Sequence, residues 1–234
     1  MKNAPNFNRL AGLYRWMEFF SFGPFLALTR ETFVDRLGDR RRALVLGDGD
    51  GRFTARLLRA HSAVRVNAVD GSEAMLAALL RRAGPNAGRV SAHLADIRAW
   101  RQPELDSHDR YDLIATHFFL DCLTTEEIEQ LAGRLRAAAR PGALWVVSEF
   151  AVPSGWFGRL IAKPLLAGLY FSFGMLTGLA VRVLPDYDGA LRQAGFGLLD
   201  RRERLGGLLV AELWGAKATD ADRVGEQANM LQTC

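Results

Sequence analysis

One glycine-rich segment constrains the possible folds more than any other part of the chain. Residues 43–46 form a short apolar run, and residues 52–58 carry apolar side chains at helical spacing. Between them stand three glycines at alternate positions, Gly47, Gly49 and Gly51. A strand, a tight turn and a helix in this order predict the first βα unit of a doubly wound α/β fold, in which ligands bind at the carboxyl ends of the strands.

The spacing of these glycines indicates which ligand the turn accepts. A dinucleotide fingerprint, GxGxxG, needs glycine at the position of Arg52, whereas this chain reads GxGxG. Asp48 and Asp50 stand between the glycines. Two carboxylates repel a pyrophosphate but tolerate or favour a cation. The loop therefore favours S-adenosylmethionine, which carries a sulfonium and an ammonium and no phosphate, although a plain tight turn is the alternative for a glycine loop considered alone.

Two further acids follow predicted strands. Asp70 ends the strand at residues 64–69, about twenty residues beyond the loop, where an acid accepts hydrogen bonds from a ribose diol. Asp96 follows the strand at 90–94, where an acid can accept from an adenine amino group. A helix-capping role for Asp70 and a turn-forming role for Asp96 are the alternatives. Ser72 is expected to cap the next helix, whose apolar face begins at Met75.

The fourth predicted strand, residues 111–116, supplies the candidate catalytic groups. Reacting groups are expected at the carboxyl end of the central strand, and this strand opens into His117 and Asp121. His117 is the first candidate base and Asp121 the second, with Tyr14, Glu149 and Tyr170 as weaker candidates. A structural role for a histidine at a strand end is the equal alternative to a ligand contact or a base.

Two segments outside the predicted βα units, one before the glycine loop and one after the fifth strand, are candidates for covering the site. Residues 1–42 are predicted to form two amphipathic helices, the second over Phe25–Leu37, which either pack on the sheet or act as a lid with Tyr14 as the contact. Residues 156–184 are apolar, but Pro164 and three glycines interrupt them, so a membrane span is not expected. Docking on a membrane surface stays open. An apolar cap, over 151–185, that selects a lipophilic or aromatic acceptor is the favoured interpretation.

The remaining elements complete a single domain over 1–215. A helix capped by Thr125, a turn at 140–142, a strand at 144–150, a helix at 187–194 and a hairpin of strands 196–202 and 208–214 are predicted. Residues 216–234 are predicted to be a polar, disordered tail. A net charge of +4 in 234 residues is too mild to indicate nucleic-acid binding. The two cysteines lack metal spacing and indicate a reducing, cytoplasmic compartment; no metal site and no signal peptide are expected.

The order of motifs resembles that of class I S-adenosylmethionine-dependent methyltransferases over about residues 7–215, and within them the ubiquinone/menaquinone biosynthesis branch and its small-molecule relatives. The resemblance is carried by GDGDG at 47–51, VDGSEAML at 69–76, LADI at 94–97, YDLIATHFFLDCL at 111–123, RPGALWVVSEF at 140–150 and the hairpin at 194–214. It implies a Rossmann-like seven-stranded sheet with the last strand antiparallel and helices on both faces. The chain departs from the family at Val45, where an acid is usual, and at Asp48, where a small residue is usual.

The resemblance also implies the cofactor contacts. The three glycines approach the methionine and ribose parts of S-adenosylmethionine, Asp70 holds the ribose hydroxyls, and Asp96 lies near the adenine. The full set of predicted cofactor-binding residues is Tyr14, Gly47, Asp48, Gly49, Asp50, Gly51, Asp70, Gly71, Met75, Asp96, Ile97, Thr116 and His117.

The sequence thus predicts transfer of a methyl group from S-adenosylmethionine to a small, lipophilic or aromatic acceptor by in-line displacement, in a monomer or homodimer. The main task of such a protein is alignment, and a base is needed only where the nucleophile must lose a proton. An inactive cofactor-binding protein and a nicotinamide-dependent oxidoreductase are the alternatives.

Overall fold

The structure, a computed structural model, describes residues 24–100, 109–153 and 185–217, together with positions 155, 156, 158, 160 and 164. The predicted contact Tyr14, the weaker candidate Tyr170, most of the predicted cap at 151–185 and most of the predicted tail at 216–234 lie outside these residues. No helix within the described part of the chain has the length and apolar character needed to cross a bilayer.

Seven strands form one sheet. They are β1 (Arg42–Leu46), β2 (Arg65–Asp70), β3 (Val90–Leu94), β4 (Tyr111–His117), β5 (Ala139–Phe150), β6 (Phe196–Arg204) and β7 (Leu209–Ala216). Their order across the sheet is β3-β2-β1-β4-β5-β7-β6. β1 to β5 pair in parallel, and β7 runs antiparallel to both of its neighbours, β5 and β6. The predicted Rossmann-like sheet with an antiparallel last strand is confirmed.

Helices cover both faces of the sheet. They are α1 (Phe25–Arg30), α2 (Arg52–Ala60), α3 (Glu73–Ala83), α4 (Thr125–Ala138) and α5 (Tyr187–Gln193). One core packs α4 and α5 against the sheet around Trp145 and Trp214, and the second packs α2 and α3 around Phe53. β4 is buried along its whole length, which explains the apolar centre of its sequence, from Leu113 to Ala115.

Three boundaries differ from the sequence prediction. The helix expected over Phe25–Leu37 ends at Arg30 and is followed by a turn and a 3₁₀ helix at Val34–Arg36. It ends early because the Thr29 carbonyl accepts a hydrogen bond from the Ser148 hydroxyl, 3.3 Å away. The Thr29 hydroxyl also donates to the Phe25 carbonyl, one turn earlier in the helix. β5 begins at Ala139, which pairs with β4, so the turn expected at 140–142 is part of the strand.

The third difference is a cap. Thr124, not Thr125, caps α4: its hydroxyl accepts the Glu127 N–H, and the Glu127 carboxylate accepts the Thr124 N–H in return. This capping box satisfies two of the N–H groups that a helix start leaves without an intrahelical partner. Ser72 caps α3 as predicted, accepting the Met75 N–H at 3.4 Å.

Candidate functional site

The glycine loop between β1 and α2 uses each of its glycines for a different reason. All three have positive φ, at +65° for Gly47, +59° for Gly49 and +80° for Gly51. A Cβ on Gly51 would lie 2.5 Å from Leu79 Cγ, so this glycine allows α3 to approach the loop. A Cβ on Gly49 would meet only Met75 Sδ, at 4.0 Å. The main chain at Gly49 is therefore open to a ligand.

The two acids of the loop are bound within the protein. Asp48 accepts the N–H groups of Phe53 at 3.3 Å and Thr54 at 2.9 Å, so it caps the start of α2 from inside the loop. Burial raises the pKa of Asp48 from 3.8 to about 6.

Asp50 contacts arginine side chains instead. It pairs with Arg82 of α3 at 2.6 Å and with Arg52 at 3.3 Å. The argument that both loop carboxylates face a cationic ligand therefore has no support in their contacts, since each already has protein partners. Their assignment as cofactor contacts stays a prediction.

Asp70 stands at the end of β2 beside the open part of the loop. Its Oδ1 accepts the Ser72 N–H at 2.9 Å, and the Gly49 N–H also donates to its carboxylate. The pKa of Asp70 is raised by burial, against the effect of these two hydrogen bonds. Next to it, Gly71 is exposed, and a Cβ there would meet only the Ala95 carbonyl, at 3.9 Å. Asp70 and Gly71 thus lie beside Gly49 and Met75 at the end of β2.

The segment after β3 is brought to the same edge. The Ala95 N–H donates to the Asp70 carbonyl at 3.1 Å, which places Asp96 and Ile97 beside the end of β2. The Asp96 side chain is 51% exposed, and its Oδ1 accepts the Arg98 N–H at 3.0 Å in a local turn. Ile97 is buried in the core below. The turn-forming role is observed for one Asp96 oxygen, and the predicted adenine contact stays a prediction.

At the end of β4, Thr116 and His117 point to opposite faces of the sheet. The Thr116 hydroxyl accepts the indole N–H of Trp145 at 3.0 Å, inside the core. His117 is also buried, with its ring 4.3 Å from that of Phe53. Its Nδ1 lies 2.9 Å from Ser148 Oγ. Because the Ser148 hydroxyl donates to a backbone carbonyl, we assign the proton of this contact to Nδ1 and leave Nε2 as a bare acceptor.

Burial, assisted by the nearby Arg30 charge, lowers the pKa of His117 well below its usual 6.5. The imidazole is therefore neutral near pH 7, able in principle to accept a proton but disfavoured as an imidazolium. Its contacts on both sides are structural, and its Nε2 has no hydrogen-bond partner among the described residues.

A buried carboxyl pair lies on the other face, after β4 and at the end of β5. Asp121 and Glu149 are 7% and 1% exposed. Burial, and then the charge of Asp121, raise the pKa of Glu149 well above its usual 4.5. Glu149 Oε1 accepts the N–H groups of Phe119 at 3.0 Å and Leu120 at 2.8 Å. The sequence indicated Glu149 only weakly; the available signal was a glutamate within the otherwise apolar run of β5.

Comparison with known proteins shows which family the central part of the chain is similar to. Residues 43–142 match the model of a methyltransferase domain. The match covers less than half of the 234 residues. The match confirms the predicted class of S-adenosylmethionine-dependent methyltransferases, whereas the quinone-biosynthesis branch stays a prediction.

Solved structures share the fold of this methyltransferase domain. An O-methyltransferase family protein from Burkholderia thailandensis is 18% identical, with a TM-score of 0.63 over 91% of this chain and 62% of its own. The S-adenosylmethionine-dependent methyltransferase SibL is 23% identical, with a TM-score of 0.62 over 89% and 57%. The mitomycin 7-O-methyltransferase MmcR is 16% identical, with a TM-score of 0.64 over 89% and 60%.

The chain thus spans about three fifths of the length of these structures. No curated protein shows significant sequence similarity to it. At these identities the structural likeness is one of fold.

The match to a methyltransferase domain implies S-adenosylmethionine as the cofactor, and the loop fits it. The main chain at Gly49 has room for a ligand, and the neighbouring Asp70 carboxylate is fixed by two N–H groups at the end of β2, where an acid accepts hydrogen bonds from a ribose diol. Val45, in the position of the usual acid, is 1% exposed in the core. Asp48, within the loop, accepts the N–H groups at the start of α2. The loop region therefore has a carboxylate acceptor although Val45 replaces the usual acid.

Proposed function

We propose that this protein transfers a methyl group from S-adenosylmethionine to a small, lipophilic or aromatic acceptor. The observation that carries the proposal is the Asp70 carboxylate, fixed by the Gly49 and Ser72 N–H groups beside an open main chain at the carboxyl end of the sheet. An acid held in this way accepts two hydroxyls without having to be ordered on binding.

The bound cofactor supplies an electrophilic methyl on its sulfonium and a neutral leaving group. The chain's own residues orient and shield it. Asp70 would hold the ribose hydroxyls, the Gly49 main chain would pass beneath the cofactor, and Met75 would pack on it. Alignment of this kind can contribute on the order of 7–11 kcal/mol to the reaction.

The aromatic side chains at the ends of β4 and β5 support an apolar acceptor. The rings of Phe118 and Phe150 lie 5.1 Å apart, and Phe119 packs against Gly47 of the loop. These rings lie at the edge of the sheet where we expect the cofactor, and they would exclude water from the reaction. A structural neighbour named as a mitomycin 7-O-methyltransferase is consistent with a small acceptor.

Where the acceptor must lose a proton, we assign that proton to Asp121 rather than His117. Two neighbouring carboxyls hold one proton readily, because the charge of each opposes ionisation of the other, and Asp121 lies beside Glu149. His117 is held between Phe53 and Ser148, and burial opposes its protonation. It stays the second candidate.

Thermal unfolding tests the cofactor. A ligand at 100 times its dissociation constant stabilises the folded state by about 2.7 kcal/mol, which for a chain of this size raises the midpoint by about 5–10 °C. We expect this rise with S-adenosylmethionine and S-adenosylhomocysteine and none with NADH. Asp70→Ala should abolish the rise, while Asp39→Asn, at a side chain 72% exposed and outside the site, should keep it.

Turnover tests the acceptor. S-adenosylhomocysteine formation is measured with a panel of phenols, aromatic amines and thiols, and with sugars and amino acids as hydrophilic controls. Turnover confined to the aromatic members supports the proposal. Cofactor binding without turnover on any member would indicate an inactive binding protein instead, and turnover on the hydrophilic members alone would refute the apolar acceptor.

A further inference from the structure

The turn that follows β4 is held in a conformation that its own sequence does not favour. Phe118 has a φ of +53°, and within the described residues Leu205 is the only other non-glycine side chain at positive φ. A bulky residue rarely adopts this backbone conformation, because its Cβ crowds the following carbonyl oxygen. Contacts from outside the turn must therefore hold it.

Glu149 provides the principal contact. It lies on β5, thirty residues further along the chain, and its Oε1 receives the N–H groups of both Phe119 and Leu120. The Phe118 N–H donates to the Ser148 carbonyl at 2.6 Å. The ring of Phe118 lies under the guanidinium of Arg30, 5.0 Å from it. The turn is thus fixed to β5 on one side and to α1 on the other.

This conformation places a ring on the glycine loop. A Cβ on Gly47 would lie only 2.6 Å from Phe119 Cδ2, so the Phe119 ring rests directly on the main chain of the first glycine. Gly47 is itself bound to β2, since its N–H donates to the Val69 carbonyl at 2.9 Å. A shift of the turn would therefore remove the support of the loop on the side of β4.

We propose that Glu149 is a positioning residue for the cofactor site: its carboxyl group holds the turn after β4 so that the Phe119 ring supports Gly47 and, through it, the glycine loop. The inference rests on the proposed function, since the loop is taken to bind S-adenosylmethionine. Glu149 acts through the turn and the ring and does not itself touch the cofactor.

Glu149 holds the turn through its acceptor oxygen and does not need a negative charge to do so. Burial and the neighbouring Asp121 raise the pKa of Glu149, and its Oε2 has no hydrogen-bond partner among the described residues. A neutral isostere therefore suffices. Glu149→Gln keeps the acceptor oxygen for the two N–H groups, whereas Glu149→Met keeps the length of the side chain and removes the acceptor.

The test measures the dissociation constant of S-adenosylhomocysteine by calorimetry. Glu149→Met leaves two buried N–H groups without an acceptor, so we expect its dissociation constant to rise about tenfold or more. Glu149→Gln should stay within about threefold of the unchanged protein. Glu212→Gln is the matched control, because Glu212 is equally buried but bonds to Arg201 and Trp214, away from the turn.

A double-mutant cycle tests the route through the ring. Phe119→Ala should also weaken S-adenosylhomocysteine binding, and Glu149→Met added to it should weaken binding little further, because both changes remove the same support. If the double variant instead raised the dissociation constant by the product of the two single effects, the coupling of Glu149 to the loop through Phe119 would be refuted. Unchanged affinity in Glu149→Met would refute the proposal itself.

Amide hydrogen exchange separates this inference from the proposed function. In Glu149→Met the amides of Phe119 and Leu120 should exchange faster by about tenfold or more, with Glu149→Gln close to the unchanged protein. If the unchanged protein failed to bind S-adenosylhomocysteine, the proposed function would fall while the exchange data would still report on the turn. If Glu149→Met did not fold, Glu149→Gln with rapid exchange at both amides would overturn the positioning role.

Discussion

Asp48→Asn isolates the charge that is buried at the start of α2. In the folded protein the pKa of Asp48 is raised from 3.8 to about 6, principally by burial. The folded state therefore holds this proton more tightly than the unfolded state does. As the pH rises above 3.8 the unfolded chain loses the proton first, so stability falls, and the loss is complete once the pH exceeds about 6.

The magnitude follows from the shift. A difference of about two pKa units corresponds to about 3 kcal/mol between strongly acid solution and pH 7. Linkage places about 1.6 kcal/mol of this loss below pH 5 and about 1.3 kcal/mol between pH 5 and pH 7. Asparagine is neutral throughout, and its amide keeps one acceptor for the N–H of Thr54, so its own effect, about 1 kcal/mol for the bond to the Phe53 N–H, does not vary with pH.

Urea unfolding at pH 5, 6 and 7 measures the difference in unfolding free energy between the Asp48→Asn variant and the unchanged protein, which cancels the titration of all other groups. We expect this difference to move in favour of the variant by about 1.3 kcal/mol from pH 5 to pH 7. Asp35→Asn, at a side chain 88% exposed, is the control for the substitution itself. A flat line for Asp48→Asn would show that the carboxylate is not buried at an energetic cost.

Two further substitutions test the structure that supports the site. Gly51→Ala combines a φ of +80° with a Cβ 2.5 Å from Leu79 Cγ, so it should destabilise the fold by about 2–4 kcal/mol. The control is Gly133→Ala in α4, where a Cβ would meet nothing within 4 Å, and it should stabilise the fold by up to about 1 kcal/mol. Equal unfolding midpoints for the two variants would contradict this account. Thr124→Ala removes the hydroxyl that accepts the Glu127 N–H and should lower the free energy of unfolding in urea by about 1 kcal/mol. A decrease below about 0.3 kcal/mol would show that the capping box is not formed in solution.

Local sequence patterns were sufficient for the elements around the site. The apolar run, the alternate glycines and the helical period after them predicted β1, the loop and α2, because each depends on neighbours within a few residues. For the same reason Ser72 was correctly predicted as a cap. The seven-stranded sheet was implied by the resemblance of the motif order to that of class I methyltransferases, and the structure confirms it.

The predictions that depended on a distant partner were less successful. The early start of β5 depends on pairing with β4, and the early end of α1 depends on a hydroxyl of Ser148, more than a hundred residues away. A boundary set by a long-range hydrogen bond leaves no local signal. This is why strand ends and the length of α1 were missed while the elements themselves were found.

The sequence by itself determined the fold class, the position of the glycine loop and the acids that follow β2 and β3. Only the tertiary structure decided which partners three acids contact. Asp48 turns to the N–H groups of α2, Asp50 to Arg82, and Glu149 to the turn after β4. The reason is physical: alternation along a strand and spacing in a loop fix which residues share a face, but the partner of a buried charge depends on which element packs against that face, and a carboxylate removed from water takes the nearest donor.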